Sequence, residues 1–280
     1  MNKKINRICC GLLIAFSGIL CSCDDSSKTI VVAASDLPHS AVLTDVIKPL
    51  VAAKGYDLEV KTVYDYVTPN TFVEDGSAFA NYFQVVAYLN YYDEYENGDQ
   101  TALCGVHYEP LGIYGGKKTE LNEDTLKDAV VGIPNDVLNE PRALLLMQSL
   151  GYITLKDYDV NNVMGITVAQ NLDQNPLNID FEEFDASAVP DHLDSLDFGI
   201  VNGNYALQHS LGTALGYEQA QDVIDQYDNV VSVKTENYDD PRSQILIDAF
   251  RDPSVATYFE DNFAGVAIYN YLSHDDIYGD

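Results

Sequence analysis

The stretch AVVGIPNDVLNEPRALLLMQSLG, Ala129 to Gly151, decides the fold class. Its first five residues are a short run of small and apolar side chains closed by Pro134, Asn135 and Asp136, the signature of a buried strand running into a turn. The apolar residues then follow a helical rhythm through Met147, and the run stops at Gly151, a residue suited to the position after a helix end. Strand, turn and helix in succession form the repeating unit of an α/β protein. In such sheets ligands sit where strands end and helices begin. Arg142 stands at the start of this helix, directly before Ala143 to Met147. The chain has 44 Asp and Glu against 15 Lys and Arg, and only four of the cations are Arg. A cation near a helix N-terminus opposes the helix dipole, so the position calls for an anion. A salt bridge to one of the acids would supply it. So would a ligand carboxylate, which a guanidinium can hold with a planar fork while free N–H groups of the first helical turn add to the same charge.

The same alternation extends outward in both directions. KTIVVAAS reads as a first strand, LTDVIKPLVAAKG as a helix ending at Gly55, and DLEVKTV as a second strand. NTFVEDGSAFANYFQVVAYLNYY reads as mixed turn and helix, HYEPLGIYGG as a strand-like crossing, and LNEDTLKD as a polar helical turn. SLDFGIVNGNYALQHSL gives a strand, an Asn-Gly turn and a helix, and NVVSVKTE gives another strand. Two amphipathic helices follow in DPRSQILIDAFRDPSVATYFEDNF, with Pro241 and Pro253 near their starts. The expected architecture is α/β, with parallel strands under helices.

The first residues form a processing signal. Lys3, Lys4 and Arg7 are a basic start, and Gly11 to Leu20 is an apolar run of about ten residues, too short to span a bilayer. The segment Leu20-Cys21-Ser22-Cys23 resembles a bacterial lipobox, which makes residues 1–22 a lipoprotein signal peptide, Cys23 the lipidated residue and 23–28 a tether. The expected product is anchored to a bacterial membrane on its extracytoplasmic side, in the periplasm or at the cell surface. Beyond Cys23 only Cys104 remains, so no intrachain disulfide or thiolate zinc site is expected.

Removing the three basic residues of the signal takes the formal net charge from −29 to −32. That field repels phosphate backbones, so no nucleic acid is expected as a partner. Acidity of this degree also suits a calcium-dependent surface lipoprotein. However, the loop from Asp157 has Asn162 where an EF-hand needs Gly and Val168 where it needs Glu. The common catalytic motifs are missing. Cys104 and His107 are three residues apart, which does not by itself place them in contact.

Four pieces together resemble the NlpA/MetQ family of substrate-binding lipoproteins, which serve methionine ABC importers: DYVTPNTFVEDGSAFANYFQVVAYL, HYEPLGIY, IPNDVLNEPRALLLMQ and IVNGNYAL. The resemblance covers nearly all of the mature chain. It implies a two-lobed periplasmic-binding-protein fold, type II-like, with the ligand in a cleft between the lobes. Lobe one is expected at 29–111 plus 231–280 and lobe two at 112–230. It also implies a non-enzymatic protein without cofactor or metal, whose partners are a small amino acid and an ABC permease in the membrane.

By this resemblance Arg142 holds the amino-acid carboxylate, with Pro141 in place of the usual Gly. Asn139 and Asn202 hold the polar end of the ligand, although Asn139 also suits a helix cap and Asn202 an Asn-Gly turn. Tyr66, Phe83, Tyr88 and His107 line the side-chain pocket. Val85 stands where a histidine is usual, which removes a polar ring and makes the pocket more apolar. The expected ligand widens accordingly, from methionine to a related apolar amino acid or a Met-containing dipeptide. His39, in the first strand-to-helix turn, is not taken as a site residue.

Overall fold

The computed structural model describes residues 28–159, 162–219 and 227–279. The signal peptide, Cys23 and nearly all of the tether lie outside the described residues. In chain order the first elements are β1 (Thr29–Ser35), α1 (Lys48–Ala53), β2 (Asp57–Val63), α2 (Thr68–Glu74), β3 (Ala80–Val85), α3 (Val86–Tyr95) and β4 (Gln100–Tyr108). Next come β5 (Gly112–Gly115), α4 (Glu123–Leu126), β6 (Val130–Pro134), α5 (Asn139–Ser149), β7 (Thr154–Leu155), α6 (Val168–Asn171), β8 (Leu172–Gln174) and β9 (Asp180–Phe184). The chain continues through α7 (Val189–His192), β10 (Phe198–Val201), α8 (Gly203–Gln208), β11 (Gly216–Tyr217) and β12 (Asp228–Lys234). It ends with α9 (Pro241–Phe250), α10 (Pro253–Phe263), β13 (Ile268–Ser273) and α11 (His274–Tyr278). No helix among the described residues is long and apolar enough to cross a membrane.

Among the described residues these strands form a six-stranded sheet ordered β13-β4-β12-β3-β1-β2, a five-stranded sheet ordered β11-β5-β10-β6-β9, and the small pair β7-β8. The sheets are mixed rather than purely parallel. In the first, β1 runs parallel to β2 and β3, while β12 is antiparallel to both β3 and β4. In the second, β6 is parallel to β9 and β10, and β5 is antiparallel to β10 and β11. The physical cause is the route of the chain. It passes from the first sheet to the second between β4 and β5, and returns between β11 and β12. Outgoing and returning strands that lie side by side must run in opposite directions.

β3 corrects the reading of its region as turn and helix. ANYFQV is an interior strand, with β1 on one edge and β12 on the other, and its side chains are buried along its whole length. A strand buried on both faces loses the period-two alternation that identifies strands. Its polar members are satisfied internally. Asn81 Nδ2 donates to Asn70 Oδ1 and Gln100 Oε1, Gln84 Nε2 donates to Asn70 Oδ1, and Ser232 Oγ donates to Asn81 Oδ1. A chain of buried amides thus ties α2, β3, β4 and β12 together. β12 lies in the first sheet from Asp228 onward, three residues before the lobe boundary expected at 231.

The largest core lies on the first sheet, where α9 and α10 bury Leu246, Phe250, Val255 and Phe259 against Ile30, Val32, Tyr82 and Val106. Full burial of each such side chain contributes about 1.5–3 kcal/mol. A second core gathers Ala143, Leu144 and Met147 of α5 against Val131, Ile133 and Ile200 of the second sheet. That burial is why the helix after Arg142 is apolar. Gly151 follows it at φ +82°, as its position after the helix end requires.

Candidate functional site

A cavity of about 180 Å³ lies between the two sheets. From the first sheet's side it is lined by His39 after β1, Tyr66 and Val67 before α2, Phe83, Gln84 and Val85 at the end of β3, Tyr88 of α3, and Asn229 of β12. From the second sheet's side come Asp136, Leu138, Asn139 and Arg142 around the start of α5, and Asn202, Gly203 and Asn204 at the start of α8. Glu109, in the connection between β4 and β5, completes the wall. Most of these residues sit where a strand ends and a helix begins.

Tyr66, Phe83, Val85, Tyr88, Asn139, Arg142 and Asn202 are brought together at this cavity; His107 is not on its wall. It is completely buried behind Glu109, to whose Oε1 its Nε2 lies at 2.7 Å, while its Nδ1 meets the Tyr82 hydroxyl at 2.7 Å. Sequence reasoning passed over His39, Gln84, Glu109, Asp136, Asn204 and Asn229. For Glu109 a signal existed: residues two apart on a strand share a face, and HYEP places Glu109 two beyond His107.

The aromatic wall is built from different elements. Phe83 lies in β3 and Tyr88 in α3, so helical spacing does not relate them, yet their rings meet edge to face with centroids 6.2 Å apart. The Tyr66 ring lies 6.3 Å from that of Phe83 and 5.3 Å from that of Tyr205. The Tyr66 hydroxyl donates to Asn204 Oδ1 at 2.9 Å, bridging the two sides of the cavity. Val85 packs with Leu138, Tyr108 and Tyr227, and Tyr88 leans on the same group.

At the polar end, Asn139 is not the capping side chain. Asp136 Oδ1 accepts from the backbone N–H groups of Leu138 and Asn139, so Asp136 fills that role. This leaves Asn139 Oδ1 free to accept from Asn202 Nδ2 at 2.9 Å. Asn202 Oδ1 and Asn204 Nδ2 are buried and have no hydrogen-bond partner among the described residues. Both residues line the cavity, and a buried polar atom left unpaired costs about 1–3 kcal/mol. One is an acceptor and the other a donor.

The Arg142 fork does not face the cavity. Its Nε donates to Glu218 Oε1 at 3.2 Å and its Nη2 to Glu218 Oε2 at 2.6 Å, and Nη2 also donates to the Glu109 carbonyl at 2.9 Å. The Tyr227 ring covers the guanidinium at 4.5 Å. Burial opposes the charge, but the Glu218 carboxylate outweighs that cost and holds the guanidinium protonated. The salt bridge weighed for Arg142 from sequence is therefore present, and the same residue also lines the cavity.

Below Glu109 lie two buried histidines. His39 Nδ1 meets Ser35 Oγ at 2.7 Å and His39 Nε2 meets Asn229 Oδ1 at 3.0 Å. Burial pushes His39 down to about 4 and His107 to about 3, so both rings are neutral at neutral pH. Burial pushes Glu109 up, while His39, the Asn204 backbone N–H and Arg142 act against that shift. Among the described residues His39, His107 and Glu109 are the group whose donor atoms converge closely enough to hold a metal, all within 4.8 Å. Every ring nitrogen already has a partner. His107 Nε2 fixes the Glu109 carboxylate beside the cavity, and the His39 ring packs edge-on against His107 with centroids 4.9 Å apart. Cys104 is buried, and burial raises its thiol to about 12, which leaves it without nucleophilic thiolate.

The sequence pattern of the family described as NlpA lipoprotein matches residues 30–270. The methionine-binding lipoprotein MetQ of Bacillus subtilis is 29% identical over 272 residues, covering 92% of this chain and 96% of that protein. A lipoprotein of known structure from Ruminococcus gnavus is 36% identical with a TM-score of 0.80, covering 87% of this chain and 99% of its own. A nutrient-binding protein from Burkholderia cenocepacia, solved bound to methionine, is 28% identical with a TM-score of 0.79, covering 86% and 99%.

Proposed function

The chain belongs to the NlpA lipoprotein family, and from that membership we propose that it is the substrate-binding lipoprotein of an ABC importer, taking methionine or a closely related amino acid. The observation that carries the reading is the pair of unpartnered amide atoms at the cavity, Asn202 Oδ1 and Asn204 Nδ2. An acceptor and a donor lining one cavity match the ammonium and carboxylate of one zwitterion. Glu109 adds a carboxylate to the ammonium side, and Arg142 Nη1 adds a charged donor to the carboxylate side. The side chain then points between Tyr66, Phe83, Val85 and Tyr88. A cavity of about 180 Å³ is smaller than the roughly 300–1,000 Å³ of drug-sized sites, which favours a single amino acid over a dipeptide.

The two sheets are the cores of two lobes: residues 29–111 with the segment from Asp228 onward, and the segment between. Binding draws the lobes together, because the ligand contacts both, and the closed form is what the permease recognises. Cys23 carries the lipid that keeps the protein at the extracytoplasmic face of the membrane. The work is binding, without bond-making chemistry.

The test is calorimetric titration of the full chain, solubilised in detergent and freed of carried ligand by unfolding and refolding. Methionine is expected to bind with a defined stoichiometry of one. Arg142→Ala is expected to weaken it by about one to two decades, the range for loss of a hydrogen bond to a charged group. Unchanged affinity in that variant would sink the carboxylate assignment, and absence of binding by every amino acid in a panel would sink the function.

A further inference from the structure

We infer that Glu218 is a positioning residue for the ligand: it fixes which edge of the Arg142 guanidinium faces the cavity, and it does so from inside the paired connections that join the two sheets. The inference rests on the amino-acid reading of the cavity given above.

Three observations carry it. The first is the division of the guanidinium. Nε and Nη2 are committed to Glu218, Nη2 a second time to the Glu109 carbonyl, and one face to Tyr227. Among the described residues Nη1 is held loosely, by Asn139 Oδ1 at a long 3.4 Å. Nη1 is therefore the corner that a ligand carboxylate meets.

The second is the fixing of Glu218 itself. Its Oε2 accepts from the Tyr108 hydroxyl at 2.9 Å and from the Leu111 backbone N–H at 3.2 Å. Its own N–H donates to the Leu111 carbonyl at 2.9 Å. Leu111 immediately precedes β5 and Glu218 immediately follows β11, and those strands pair Gly112 with Tyr217. The carboxylate that holds Arg142 is thus part of the connection between the sheets.

The third is charge. Arg142 and Glu218 side chains are 4% and 9% exposed. A buried guanidinium needs a counter-ion at all times, since an unpaired buried charge is strongly destabilising. A zwitterionic ligand comes and goes and brings no net charge. Glu218 supplies the permanent partner, so Arg142 keeps one orientation and the ligand does not bear the cost of ordering it.

The test compares methionine with methioninol, in which a hydroxymethyl group replaces the carboxylate, on the full chain in detergent. Wild type is set beside Glu218→Gln and Glu218→Ala. Gln can still accept from Tyr108 and Leu111 but presents no charge to Arg142. The expected result for Glu218→Gln is a loss of about tenfold or more for methionine, the scale of a charge-assisted contact, with methioninol changed less than about threefold. Glu218→Ala should widen the methionine loss, and the thermal midpoint of each variant checks that it is folded. Equal weakening of both ligands would mean a merely structural role and would overturn the assignment. So would unchanged binding, or tighter methionine binding, which would mean that Glu218 competes with the ligand for the fork. Wild-type protein that binds neither ligand would overturn the methionine reading and this assignment with it. Wild-type binding matched by both variants would overturn the Glu218 assignment alone.

Discussion

Val85 shows how one residue can set what a cavity measures. Its wall, shared with Leu138 and the Tyr88 ring, is mainly apolar and has a methyl pair where an imidazole would offer ring nitrogens. Recognition there depends on volume and on ring contacts, which favour sulfur by only about 0.3–1.5 kcal/mol. Norleucine, with a methylene in place of the sulfur, is therefore expected to bind within about tenfold of methionine, a factor that corresponds to about 1.4 kcal/mol. Calorimetric titration with both ligands checks this, and a hundredfold preference for methionine would contradict it. At this scale the sequence was legible where a residue clashed with its local pattern. Arg142 opposed its helix dipole, and Asn139 and Asn202 sat in turns beside strand ends. Glu218 was illegible, because one acid among 44 carries no local signal, whereas Glu109 was hinted at only by its place two residues beyond His107. The partner of Glu218 lies 76 residues away in the chain.

At the scale of elements, apolar runs and helical periodicity revealed the buried strands and their helices, and polar residues inside a buried strand hid β3. The strand before Arg142 was readable from its apolar run and its turn. β3 was not, since polar Asn81 and Gln84 are buried in it beside Tyr82 and Phe83. Their amides are satisfied by α2, β4 and β12, from 11 to 151 residues away, beyond the reach of a local pattern. Strand direction was also hidden, because alternation of strand and helix does not reveal which strands carry the chain between sheets. The end of α5 was readable in full. Gly151 takes φ +82°, and a Cβ there would meet no atom within 4 Å, so backbone conformation is the sole cost of a side chain. Gly151→Ala is expected to lower stability by about 1–2 kcal/mol while leaving methionine affinity unchanged. Denaturant unfolding of both forms, with a titration beside it, tests both halves.

At the scale of the whole molecule, the buried histidines make stability depend on pH. His39 and His107 titrate near 6.5 when unfolded but at about 4 and about 3 when folded. Between those limits the unfolded chain binds protons that the folded chain refuses, so stability falls as pH falls. Glu109, raised by burial, acts in the opposite sense above its ordinary value of 4.5. Asp93 and Glu140, also raised by burial, act with Glu109, so the histidines' share is read against a variant that lacks both rings. From about pH 6.5 to about pH 4.5 the thermal midpoint of the ligand-free protein is expected to fall more steeply than that of a His39→Gln, His107→Gln variant, and parallel profiles would contradict the buried, neutral rings.

The two connections between the sheets have a mechanical consequence. Tyr108 faces Asp228 in the first sheet and Gly112 faces Tyr217 in the second, so outgoing and returning chains are paired both before and after they cross. Pairing on each side of a crossing resists sliding of one sheet past the other more than it resists tilting. The half of the molecule carrying Arg142 and Asn202 is therefore expected to move chiefly by tilting, so that capture of an amino acid selects an angle more than a distance.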